Sequence, residues 1–370
     1  MDNKLFVIYG DHPLEMTEAI LDIVKLADKI PDGARVGIKP NLVVAKPASE
    51  GATTHPEIVE GLIKYLRANG INDIKILEGG RVGDDLSRAF EVCGFKDLSE
   101  SYGVPLVDLQ KDEYLVKQAD AMSIEIARSL EQIDYLISLP VLKGHCQTKL
   151  SCALKNLKGC ISDEEKKRFH SLGLHKPIAL LNTVLKADFV LADGICGDVS
   201  FEEGGNPFEM HRLFCGTDSV LLDAYAATLL GYKPEEIEYI GLSAALGVGC
   251  DDLSSAEVVE INSGFVPMIY RETRSEKPFM KRVRDDQACS VCYANLMQAL
   301  RILDEEGHSE FLPPEVFLGK GLIDQEYWSV GVGSCTGSFG EYLPGCPPST
   351  VEIKDFLMGY VRRNRRKLGK

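Results

Sequence analysis

Along the first half of the chain, apolar positions switch between two spacings. Short runs dense in aliphatic and β-branched residues, Lys4–Tyr9, Arg35–Lys39, Asp73–Leu77 and Val104–Asp108, predict strands. Between them Leu14–Lys29, Pro56–Asn69 and Asp84–Cys93 place apolar residues at helical spacing. Pro56 suits a first helical turn and Gly70 the position just past the last one. The pattern continues with strands at Ile133–Leu139 and Asp188–Asp193. Helices are predicted through Lys158, over Pro177–Lys186, from Asp218, and over Pro234–Leu246. Strands alternating with helices predict an α/β fold, a largely parallel sheet layered with helices.

This α/β domain is assigned residues 1–250. Residues 251–285 hold a β-like Glu257–Ile261 and then a charged, Pro-containing stretch, which reads as a connector. Residues 286–370 predict a small C-terminal α/β unit of a helix, two short strands and a final helix, which carries a cysteine motif. No internal repeat or low-complexity tract interrupts the chain.

Composition narrows the classes. The chain has 370 residues with 45% hydrophobic content, enough for a sizeable core, and a formal net charge of −15. That charge disfavours general binding to nucleic acid or an anionic membrane. Within this acidic chain, Lys143 to Lys176 is a basic island, with seven Lys and one Arg against Asp163, Glu164 and Glu165. Leu5–Tyr9 is too short for a secretion signal and no run reaches membrane-spanning length, so a cytoplasmic protein is expected. Eleven Cys in a reducing compartment point to metal or catalytic use rather than disulfides.

Four of these thiols stand out: Cys289-Ser-Val-Cys292, then Gly333-Ser-Cys335, then Gly345-Cys346-Pro347-Pro348. Two residues between Cys289 and Cys292 let both sulfurs face one point from a single turn. The neighbouring glycines permit close backbone approach, and the prolines hold the chain extended after the last thiol. Four thiolates are the usual ligand set of a [4Fe–4S] cluster. Zinc in an all-cysteine site is the alternative metal, and four buried inert thiols the alternative to any metal. The order of these segments resembles the proximal-cluster motif of nickel–iron hydrogenase small subunits and their relatives in respiratory complex I.

Three loops fall where an open α/β sheet binds ligands, beyond the carboxyl ends of strands. The first runs from Lys39-Pro40-Asn41 to Thr53-Thr54-His55-Pro56, where Lys39 would fix an anion and the threonines supply donors or simply cap the next helix. The second, Glu78-Gly79-Gly80-Arg81-Val82-Gly83-Asp84, has glycines that would let backbone N–H groups approach an oxyanion or phosphate, but it lacks the spacing of the dinucleotide fingerprint. The third ends an apolar strand in Lys143-Gly-His145 and continues to Lys155-Asn156. Lys143 and Lys155 are candidate anion clamps there, and His145 a candidate acid, base or ligand. A solvated basic loop is the plain alternative. Cys146, Cys152 and Cys160 lie in the same stretch and read as packing thiols rather than a second metal site. Downstream, Asp193, Glu203 and Asp218 would complete a mixed-charge pocket, although Asp218 is most simply a helix N-cap.

Lys39-Pro-Asn41, Thr53-Thr-His-Pro56, Leu139 through Gly159, Asp193-Gly194, and Asp218 with Asp223 resemble the successive signature segments of the bacterial and archaeal domain of unknown function numbered 362, from Val36 to Gly231. The resemblance implies the α/β architecture and an association with iron–sulfur motifs. That family is also distantly similar to the nickel-pincer lactate racemases. The expectation is a redox enzyme in which a small anionic molecule binds Lys39, Asn41, Thr53, Thr54, Arg81, Asn156, Asp193 and Asp218, with Lys143, His145 and Lys155 doing chemistry. Cys289, Cys292, Cys335 and Cys346 would hold the cluster, served by a protein redox partner. The other readings are a non-enzymatic electron carrier and a redox-silent racemase or transferase with a structural cluster or zinc.

Overall fold

The computed structural model describes residues 3–145, 147–199, 202–262 and 279–367. The chain divides into two compact units, Met1–Arg271 and Glu272–Lys370. In the first, β1 (Lys4–Tyr9) leads to α1 (Pro13–Val24), β2 (Val36–Lys39) to α2 (Pro56–Ala68), and β3 (Ile74–Glu78) to α3 (Leu86–Val92) and α4 (Phe95–Tyr102). After β4 (Leu106–Asp108) come a hairpin of β5 (Tyr114–Ala119) and β6 (Met122–Ala127), then β7 (Tyr135–Ser138). A second hairpin, β8 (Lys143–His145) and β9 (Lys149–Ser151), precedes α5 (Ala153–Asn156), α6 (Asp163–Leu172) and α7 (His175–Val184). The unit closes with β10 (Phe189–Asp198), β11 (Pro207–Gly216), α8 (Ser219–Leu229), α9 (Glu238–Ala245) and β12 (Glu257–Glu260).

Eight strands form one sheet in the order β12-β1-β11-β10-β7-β2-β3-β4. Only β11 runs against its neighbours, so the sheet is largely parallel. Strands β2 and β10 are buried along their whole length, as expected when both faces are covered. One face packs Ile20, Leu62, Leu66 and Phe95. The other packs Leu154, Ile178, Leu181, Leu221 and Tyr239. Pro13 and Pro56 sit in the first turns of α1 and α2, where the missing N–H costs no helical bond.

The differences from the sequence reading have local causes. Helix α6 is charged over most of its surface and buries mainly the ring of Phe169 and the stems of Glu165 and Lys166, so its apolar period is faint. Strand β11 follows directly on the turn-rich Glu203–Pro207 and is fully buried only over Arg212–Gly216. The basic stretch after Leu142 is a hairpin, not a plain loop. Residues 251–285 are not simply a connector: β12 extends the main sheet beside β1, and Val283–Asp285 belongs to the second unit. The charged stretch between them, 263–278, lies outside the described residues.

In the second unit β13 (Val283–Asp285), α10 (Ser290–Glu305), β14 (Val316–Leu318), β15 (Val330–Val332), β16 (Glu341–Leu343) and α11 (Thr350–Lys367) follow in order. The four strands pair in that sequence and all run parallel. Within 286–370 three strands, β14, β15 and β16, stand where two were expected, because three-residue strands are too short to show a period. Val316, Leu318, Val330 and Val332 are buried with Leu296, Leu300 and Leu303 of α10 and Ile353, Leu357 and Val361 of α11. Among the described residues no helix is long and apolar enough to cross a membrane.

Candidate functional site

The carboxyl ends of β2, β3 and β7 meet in a buried polar network. Lys39 Nζ lies 2.8 Å from Glu78 Oε1, with both side chains almost wholly removed from solvent. Glu78 also accepts from the backbone N–H groups of Leu42, Gly79 and Gly80. Asn156 Nδ2 donates to Lys39 O and to Ser138 Oγ, while its Oδ1 accepts from Asn41 Nδ2. Asn41 Oδ1 accepts from Lys143 Nζ at 2.7 Å, and that ammonium donates again to Ala52 O. Thr54 Oγ1 accepts from Asn41 N and donates to Leu139 O. The sequence thus brings Lys39, Asn41, Thr54, Lys143 and Asn156 together, but as a mutually bonded core rather than an open anion clamp.

Close packing enforces this arrangement. A Cβ added at Gly159 would meet Glu78 Oε1 at 2.5 Å and Lys39 Nζ at 2.7 Å, and one at Gly79 would meet Gly159 O at 2.1 Å. Glycine is required at both places by the approach of two loops over the ion pair.

Among the described residues Lys143 forms no salt bridge, and burial, helped by the nearby Lys155 and only partly offset by Glu202, Glu78 and Asp198, pushes its ammonium down to about 7. In an unfolded chain the same group titrates near its ordinary value of about 10.4. Between these values the unfolded chain carries a proton that the folded chain lacks, so stability contributed here rises with pH and is lowest below pH 7. Denaturation at pH 7, 8 and 9 is expected to show wild type gaining on Lys143→Met by up to about 1.4 kcal/mol per pH unit. A stability difference that stays constant with pH would count against a strained, buried Lys143.

Next to this core, a second group of side chains comes from the β8–β9 hairpin, α5 and the loop before β11. His145 Nδ1 accepts from the backbone N–H groups of Gln147 and Thr148, so in the neutral ring the proton sits on Nε2. Burial, partly offset by Glu202, pushes the ring down to about 4, which keeps it neutral at pH 7. His145 therefore acts there as an N–H donor, not as a free base. Its Nε2 lies 2.7 Å from Glu202 Oε2, and Lys155 Nζ lies 3.0 Å from the same oxygen. The His145 N–H points away from the line to that oxygen, so the contact is close without being a well-formed hydrogen bond. Burial would raise the Glu202 carboxyl, but His145 and Lys155 outweigh it and hold the group well below the usual carboxylate range. Glu202 was not singled out in the sequence; the available signal was an acid in a Gly-rich loop facing a basic island.

The remaining candidates have other partners. Asp193 accepts from His55 N and pairs with its ring at 2.8 Å. Asp218 is an N-cap: its carboxylate takes Val220 N and Leu221 N at the start of α8 and Cys250 N from the loop after α9. Thr53 Oγ1 donates to Lys46 O, and Arg81 pairs with Glu203. Asp223, also read from the sequence at the start of this helix, holds the N–H groups of Ala153 and Leu154 and so anchors α5. Cys152 and Cys160 are buried thiols whose titration burial pushes up, and Cys146 lies outside the described residues.

In the second unit, parallel pairing puts the carboxyl ends of all four strands on one edge, and the singled-out thiols follow those ends. Cys289 and Cys292 come after β13, Cys335 after β15 and Cys346 after β16. The last two loops are tied by Gly333 N to Leu343 O and Ser334 N to Gly345 O, both at 2.9 Å. The first is tied to the turn after β14 by Gly321 N to Asp286 O at 3.0 Å. Gly319 makes this possible at φ 126°, since a Cβ there would meet Asp286 O at 1.9 Å. Cys292 stands within electrostatic reach of Cys289, Cys335 and Cys346, Cys335 within reach of Cys289 and Cys346, and Lys320 acts on Cys289. Even so, no three His, Cys, Asp or Glu side chains among the described residues stand in metal-holding positions. Thiol rotation has to draw them together around any metal.

Comparison with known proteins places the first unit. The chain is 25% identical over 228 residues to the thylakoid-associated protein sll1697 of Synechocystis sp., covering 58% of this chain and 69% of that protein. The lactate racemase apoprotein of Thermoanaerobacterium thermosaccharolyticum aligns with TM-score 0.39 and 16% identity over 60% of this chain. The alignment spans just 56% of that structure, and nothing about substrate follows from it. The model described as Domain of unknown function (DUF362) matches residues 36–228, from β2 into α8, and stops before the cysteine-bearing unit. With more than half of its length matched, and with the Lys39 and His145 networks inside the match, the chain belongs to the DUF362 family.

Proposed function

We propose that this protein is an iron–sulfur redox protein that takes electrons from a protein partner and passes them toward a small anionic molecule bound by the α/β unit. The observation that carries the reading is the placement of Cys289, Cys292, Cys335 and Cys346 on one edge of a parallel sheet. Four thiolates drawn together from that edge would suit a [4Fe–4S] cluster, which would supply one-electron chemistry. Cys289 stands at the N-terminus of the 16-residue helix α10, and Lys320 is near; both favour anionic sulfur. Cys292 is buried and Cys346 exposed, so the thiol set reaches from the interior to the surface. In the α/β unit, Lys155 supplies positive charge and His145 a neutral N–H donor.

Metal and acid-labile sulfide analysis of anaerobically purified protein, with electron paramagnetic resonance before and after dithionite, tests this. About four irons and four sulfides per chain, with a signal that changes on reduction, are expected. Stoichiometric zinc, or no metal, would sink the redox reading. The non-enzymatic electron carrier is favoured instead if the metal is present and small anions leave the α/β unit untouched. It draws on the burial and mutual bonding of Lys39, Asn41 and Lys143.

A further inference from the structure

We infer that His145 and Lys155 form a seat for the carboxylate of a small ligand, and that Glu202 occupies this seat when the ligand is absent. One oxygen, Glu202 Oε2, accepts from Lys155 Nζ at 3.0 Å and lies 2.7 Å from His145 Nε2. The donors are built in: two backbone N–H groups on Nδ1 fix the ring with its proton on Nε2, and such preorganised donors favour an anion without reorganising.

The occupant fits less well than its seat. The His145 N–H is buried and misaligned with the oxygen beside it, so one donor is left without a proper acceptor. Side-chain exposure grades from 0% at His145 to 8% at Lys155 and 17% at Glu202, which makes Glu202 the most exposed member of the group. The backbone beyond Glu202 is held by Lys46 Nζ on Glu203 O and by Asn206 N on Asp198 Oδ2. Rotation of the Glu202 side chain would open the seat, and a free carboxylate could align with both donors as the tethered one does not.

This inference deepens the small-anion part of the proposed function and is independent of the cluster, whose iron and sulfide content is read separately. The test uses full-length Glu202→Ala and Glu202→Gln, with sodium acetate as probe and sodium chloride at matched ionic strength as control. Acetate is expected to raise the melting midpoint of Glu202→Ala saturably, at about tenfold lower concentration than in wild type, equivalent to about 1.4 kcal/mol. Adding Lys155→Met should abolish the effect. In Glu202→Gln, which conserves shape if the alanine variant folds poorly, acetate should shift the His145 Nε2 resonance in nitrogen-15 NMR. Equal responses to acetate and chloride, or rescue that survives Lys155→Met, would overturn the seat. Inorganic phosphate acting more tightly than acetate would overturn the carboxylate assignment.

Discussion

Cys289→Ser and Cys346→Ser proteins, purified anaerobically, are expected to fall from about four irons and four sulfides per chain to less than about one of each, and to lose the dithionite-dependent signal. The reason lies in chain topology. These thiols sit on loops after β13 and β16, the outer strands of the four-stranded sheet, so removing either leaves the set open on one side. Serine keeps the size but replaces a soft thiolate by a hydroxyl that stays protonated and binds iron poorly. Cys160→Ser is the control, because Cys160 is a fully buried thiol of the α/β core. It is expected to keep its iron while losing some stability. Equal metal loss in all three variants would mean that loading follows folding and not the four-cysteine edge.

Glu78→Gln should destabilise the protein by about 3–5 kcal/mol, read as a lower urea midpoint at pH 7 with little change in slope. Glu78 is the carboxylate in contact with Lys39, and both side chains are buried, at 3% and 1% exposed. Gln preserves an oxygen for part of the backbone bonding by Leu42, Gly79 and Gly80, so most of the loss comes from stranding a buried ammonium. Adding Lys39→Met should recover about half of the loss or more. The double variant removes both charges, and Met follows the path of the Lys stem. No recovery in the double variant would show that the backbone bonds of Glu78, and not the ion pair, hold these loops.

Much of the architecture was legible because β-branched runs bounded by turn residues and proline-started helices report their own local preferences. Lys4–Tyr9, Pro56–Ala68 and Ile74–Glu78 lie within a residue or so of where periodicity alone puts them. The turn glycines and the cysteine spacing were equally plain. Less visible were β11 and α6, whose exposed or charged faces dilute the apolar period.

The partners of buried charge were the part that local sequence does not encode. Lys39 and Glu78 are 39 positions apart, and His145 meets Glu202 across the loop that precedes β11. Asp218 shows the same limit from the other side: its sequence context allowed either a pocket or a cap, and three backbone N–H groups decide for the cap. By itself the sequence determined an α/β chain with a basic loop at strand ends and a four-cysteine tail, since composition and period are properties of neighbouring residues. Only the tertiary structure decided which cations are neutralised and buried, which nitrogen of His145 bears its proton, and that four distant thiols share one edge. These depend on parallel strand pairing, which brings remote strand ends together, and on the low polarity of the interior, which makes each buried cation find a partner or give up its proton.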